Sequence, residues 1–190
     1  DLPPGDLFLR QYAPRSMLRR PVTEVDRPAH SVVDAHAHLG PTPFGGGWFE
    51  RPVGNLLDVL DGVGVSAIVD LDGGWGDRLR AEVDHFAPAA DRVIVFAGLD
   101  YDGFALDDDF GAREATRLRE SAAAGARGLK VWKLLGLRAR DRRGRLVAVD
   151  DARLDPLWST AGELGLPILI HVGDPIAFFL PLDRHNERYE

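Results

Sequence analysis

From residue 31 onward, short β-branched runs alternate with longer amphipathic stretches, and this alternation constrains the fold more than any other feature of the chain. The pattern predicts strands over residues 31–36, 66–71, 92–99, 128–133 and 167–172. It predicts helices between them, over 53–62, 76–87, 107–124 and 151–164. Strands separated by single helices pair parallel, because each connection must cross the sheet face to return to the same end. Local signals agree. Asp151 suits an N-cap, Gly165 and Gly125 suit the residue just past a helix end, and Pro167 opens a strand where its missing N–H costs least.

Five β/α repeats are visible at most. A closed (β/α)8 barrel takes eight strands and about 250 residues, against 190 here. The expected fold is therefore α/β, of the TIM-barrel type, truncated after about the fifth strand. Residues 1–30 are proline-rich without periodicity and predict an extended N-terminal arm; residues 31–190 form the partial barrel domain. Composition excludes several function classes. With 23 Lys+Arg against 30 Asp+Glu, the net charge of −7 argues against nucleic acid as a partner, despite the local run Arg138–Arg143. No apolar stretch approaches ~20 residues, so no membrane span is expected. The absence of cysteine removes disulfides, thiolate nucleophiles and cysteine-based metal sites. A cytoplasmic location is the expectation, with the reservation that a leader could precede Asp1.

Three of the six histidines fall at the ends of predicted strands. His36 and His38 close the run Val32-Val33-Asp34-Ala35-His36-Ala37-His38, and His171 follows Pro167-Ile168-Leu169-Ile170. Residues two apart in a strand face one side, so both imidazoles, and Asp34 one step deeper, point the same way. In a parallel barrel the C-terminal strand ends form the face where sites are built. Imidazoles converging there can bind a divalent transition metal. His30 and His85 read as ordinary surface residues. Lys130, in Gly128-Leu129-Lys130-Val131-Trp132-Lys133, is unusual inside a strand. Facing inward with Trp132, it serves as a base, a carbamate-forming amine or a cation for a substrate carboxylate; the competing account is an internal ion pair with Asp34 or Asp70. Trp132 and Lys133, within that strand or at its end, are candidates for substrate contact, and Asp72, Tyr101 and Asp174, which follow strands, for substrate contact or for orienting a ligand histidine. The loop from Pro41 to Trp48 suits either a lid, with Phe44 or Trp48 as its apolar wall, or an ordinary surface turn.

The segments Asp34–His38, Gly128–Lys133 and Leu169–Pro175 together resemble the amidohydrolase-related (amidohydrolase 2) TIM-barrel proteins of the amidohydrolase superfamily. That group also includes decarboxylases related to aminocarboxymuconate semialdehyde decarboxylase. The resemblance runs from about residue 31 to the C-terminus. It implies that His36, His38 and His171 hold a metal, usually zinc, and that a histidine and a proton-shuttling aspartate come from sixth and eighth strands not found in this chain. Some branches carry a carbamylated fourth-strand lysine, for which Lys130 is the candidate here. The expected activity is metal-dependent hydrolysis of a small carboxylated, amide or lactone substrate. The alternatives are non-oxidative decarboxylation on the same scaffold, or an inactive fragment without its C-terminal catalytic half. A homo-oligomer is left open, since a five-stranded sheet has two unpaired edges.

Overall fold

The computed structural model describes residues 7–17, 20–25, 28–41 and 45–188. The chain divides into two compact units, Arg27–Val172 and a smaller one made of Asp1–Asp26 with Gly173–Glu190. In the smaller unit, Ala13 and Arg15 donate backbone N–H bonds to the carbonyls of Arg184 and His185. The buried Asn186 side chain there ties Ala177 and Pro181 together through their carbonyls.

The larger unit is built on five strands: β1 (Val32–Ala37), β2 (Val65–Gly74), β3 (Val93–Ala97), β4 (Leu129–Val131) and β5 (Ile168–Ile170). All pairings are parallel, and the spatial order is β1-β2-β3-β4-β5. Sequential parallel order curls the sheet into the first half of a TIM-type barrel. The helices are α1 (Val53–Val63), α2 (Gly76–Phe86), α3 (Phe110–Ala123), a short kinked α4 (Leu134–Leu137) and α5 (Asp155–Glu163). Helices α3 and α5 start later than the sequence pattern, and β2 ends later. Asp151 caps a 3-10 turn, Ala152–Leu154, through the Arg153 N–H, and α5 begins only at Asp155 with a proline in its first turn. The β2 strand runs on to Gly74 because an irregularity between Asp70 and Gly74 lets extra residues pass β3.

The sheet has two apolar sides. Between sheet and helices lies the main core, with Ile68, Val93, Val95, Leu129 and Val131 packed against Leu60, Leu79, Leu118 and Leu157. The concave side carries a smaller cluster of Val69, Leu71 and Phe96, with Ile94 and Leu169 against it. Lys130 lies between Leu129 and Val131 in the strand, so alternation puts its side chain on the concave side.

β2 and β3 approach closely at their C-terminal ends. A Cβ on Gly98 would sit 1.7 Å from the Gly73 carbonyl oxygen, whereas a Cβ on the exposed Gly62 of α1 meets nothing within 4 Å. Gly98→Ala is therefore expected to lower stability by about 1–3 kcal/mol through forced separation of the strands. Gly62→Ala is expected to raise it by about 0.5–1 kcal/mol. Urea titrations of both variants check this; equal effects would contradict the close approach.

Candidate functional site

The C-terminal rim of the half-barrel collects the sequence-predicted residues of the larger unit. Pairing sets the levels: Ala37 lies opposite Asp70, Gly74 opposite Ala97, and Val131 opposite Ile170. His171 extends the β4–β5 ladder by one step, donating its N–H to the Val131 carbonyl at 2.9 Å. The His36 and His38 rings lie 5.6 Å apart, centre to centre, in edge contact. The His38 ring is 5.7 Å from Trp132. His36 feels Lys130, His38 and His171 electrostatically, and Asp34 as the one opposing charge. Burial first, then those neighbours with Lys130 foremost, lower His36 from the usual histidine value.

β1 does not alternate strictly. Its register slips between Asp34 and Ala37, and the Asp34 carboxylate bends back to accept the His36 N–H at 3.0 Å. Asp34 is thus a local backbone partner rather than a side chain stacked below the histidines.

Two β2 carboxylates grip the turn that follows β1. Asp72 Oδ1 lies 2.9 Å from His38 Nδ1, within hydrogen-bond distance, and Oδ2 accepts the Gly40 N–H at 2.5 Å. Asp70 accepts the Leu39 N–H at 3.1 Å and the Asp72 N–H at 3.3 Å, both through Oδ1. Gly40 has no room for a side chain, since a Cβ would lie 2.1 Å from Asp72 Oδ2. Behind them sits Glu82 of α2, which the sequence reading missed. One carboxyl oxygen from each of Asp70, Asp72 and Glu82 lies within 4.8 Å of the others, a group able in principle to hold a metal ion. Burial, then the neighbouring Asp70, push Glu82 up to about 10, and burial raises Asp70 as well. A proton shared within this acid pair already meets its electrostatic need. The signal for Glu82 was present: with Leu79 and Phe86 it occupies the buried stripe of α2, where a carboxylate is out of place.

Lys130 is 1% exposed, and its Nζ has no hydrogen-bond partner. The ion pair with Asp34 or Asp70 does not form. Burial lowers its pKa from the ordinary lysine value. Its Cβ and the Trp132 indole both pack over Gly73, whose positive φ of 69° keeps a side chain out of their way. Tyr101, also raised by burial, accepts the Trp132 backbone N–H at 2.6 Å through its hydroxyl and so braces the end of β4. Lys133 is half-buried and caps α4. Asp174 belongs to the smaller unit. Of the loop read as a lid, Phe44 lies outside the described residues. Gly46, Gly47 and Trp48 return N–H bonds to His38, Gly40 and Leu39, and Trp48 packs against the main core. His85 is half-buried, with its ring against Phe49 and Phe86, not on the open surface.

The donor chemistry at the rim suits a divalent transition metal: His36 is kept neutral, and Asp72 occupies only one nitrogen of His38. The spacing is that of an open site. Among the described residues, the nitrogens of His36, His38 and His171 do not all come within 4.8 Å of one another, so binding one ion requires the rings to close up.

Lys130 also makes a stability prediction. An unfolded lysine titrates near ~10.4, and the folded one lower, so between the two values the unfolded chain binds the extra proton and stability rises with pH. Lys130→Met is expected to raise Tm at neutral pH by about 4 °C or more and to flatten that rise. Thermal melts from about pH 7 to pH 10 check it; a destabilised variant with an unchanged pH profile would count against an unpaired buried amine.

No protein-family model matches the chain, and no curated protein matches it. Among solved structures it is similar to a probable 2-pyrone-4,6-dicarboxylic acid hydrolase from Acinetobacter baumannii with citric acid bound, at 17% identity and a TM-score of 0.47, covering 73% of this chain and 48% of that one. It is also similar to 2,6-dihydroxybenzoate decarboxylase from Rhizobium, at 18% identity and a TM-score of 0.48, covering 77% and 51%. The same decarboxylase in complex with 2,6-dihydroxybenzoate matches at 17% identity and a TM-score of 0.49, with the same coverage. The chain spans about half the length of each of these structures, and its own topology makes it a five-unit (β/α) half-barrel of the TIM type.

Proposed function

We propose that this chain forms the metal-holding half of a metal-dependent hydrolase of the amidohydrolase type, acting on a small carboxylated, amide or lactone substrate. The observation that carries the reading is the gathering of His36, His38, His171 and Lys130 at one rim of a parallel sheet, each of the other three felt by His36. His36, His38 and His171 would hold the ion, with zinc the best match to neutral imidazole donors. A bound zinc supplies Lewis-acid polarisation of a carbonyl and acidifies water. The chain's own residues do the rest. Trp132, beside His38, walls one side of the site. Lys130 offers a buried amine that binds a substrate anion or takes a proton, and Lys133 lies at the same strand end. Tyr101 is the further candidate for substrate contact. The partner is a small molecule. Among the described residues no helix is long and apolar enough to cross a membrane.

The test is metal content. Dialysed against zinc, the unsubstituted chain is expected to retain about one equivalent, and His36→Ala and His171→Ala to lose most of it. Full occupancy in both variants by elemental analysis would refute the ligand assignment. With a full-length protein, oxygen from labelled water in the product marks hydrolysis, and release of carbon dioxide without label marks the decarboxylase alternative.

A further inference from the structure

The hydrogen bonds around Asp72 fix more than the position of a loop. Oδ2 accepts the Gly40 N–H, and Oδ1 lies 2.9 Å from His38 Nδ1 in a contact whose direction follows the histidine tautomer. An ionised carboxylate is acceptor-only, so against it His38 Nδ1 is the nitrogen that bears the hydrogen. A neutral imidazole has one N–H, which leaves Nε2 with the lone pair. The Asp72 side chain is 8% exposed, so water competes little for this bond.

Asp72 is itself held. Its backbone N–H goes to Asp70 Oδ1, which also takes the Leu39 N–H. The other oxygen of Asp70 is buried without a hydrogen-bond partner, and a Glu82 carboxyl oxygen lies within 4.8 Å of the Asp70 carboxyl. A protonated Glu82 supplies the missing donor. The arrangement is a three-carboxyl ladder from α2 through β2 to the residue after β1.

We propose that Asp72, braced by Asp70 and Glu82, is a positioning residue that locks His38 in its Nδ1–H tautomer and presents Nε2 as the nitrogen able to take a metal. The tautomer part stands on the hydrogen bonds alone; the metal part rests on the function proposed above. Nitrogen NMR of the whole chain without metal, at about pH 8 where histidine is neutral, reads the tautomer directly. His38 is expected to show a protonated Nδ1 and a bare Nε2. Asp72→Ala is expected to shift His38 toward the Nε2–H form and to weaken zinc binding about 10–100-fold in a chelator competition. Glu82→Gln, which keeps a neutral side chain of the same shape, is expected to preserve the wild-type tautomer. A wild-type His38 protonated at Nε2, or an unchanged tautomer in Asp72→Ala, overturns the proposal. If the unsubstituted chain binds no zinc at all while the tautomer behaves as stated, the metal reading fails and the positioning role stands.

Discussion

The parallel, sequential order of five strands is the constraint from which the rest follows. Because every strand runs the same way, every C-terminal strand end reaches one rim, and residues 38, 72, 98, 132 and 171 become neighbours without any contact between them being specified locally. What the sequence must then supply is fine positioning at that rim. It does so through close backbone approach at Gly73 and Gly98, which lets Trp132 lie over β2 beside His38. The carboxylates of Asp70 and Asp72 do the rest, replacing a missing β1–β2 ladder with side-chain acceptors just where β1 ends.

Most of this framework was legible before any coordinates. Each strand was read to within a few residues, because a β-branched run bounded by Gly or Pro is a strong local signal. Lys130 was placed inside for the same reason: strict alternation in a short, central strand leaves it no other face. Where alternation broke, the reading broke. The slip in β1 detached Asp34 from the His36/His38 stack, whereas Asp72, read as a candidate to orient a ligand histidine, does meet His38 across the irregularity in β2. Register shifts of this kind depend on tertiary hydrogen bonds, and a single sequence carries little trace of them. Glu82 was missed for another reason. It sits at a core position of α2, where helical periodicity would have flagged it had charge been weighed against burial.

Burial sets opposite problems on the two sides of the sheet. On the helix side, Glu82 and Asp70 are two acids in a dry place, and the stable solution is to keep a proton between them. On the concave side, Lys130 is a base in a dry place with no acid beside its amine, and the solution is a depressed affinity for its proton. The first arrangement is satisfied internally and stiffens the fold. The second is unsatisfied, and an unsatisfied buried amine persists in a sheet core where an apolar residue would pack better. Such residues concentrate where function sets the choice of side chain.

The carboxylates near the histidines are already committed. Asp34 holds the His36 amide, Asp72 holds His38 and Gly40, and Asp70 holds Leu39 and Asp72. Among the described residues of the larger unit, Lys130 is a buried amine at the rim whose lowered pKa moves it toward the role of a base. If the proposed hydrolysis needs a carboxylate base, it must be supplied from beyond these five strands, and Lys130 is then released for binding an anionic substrate. The two roles separate by charge: a base must be neutral at the working pH, and an anion anchor must be protonated.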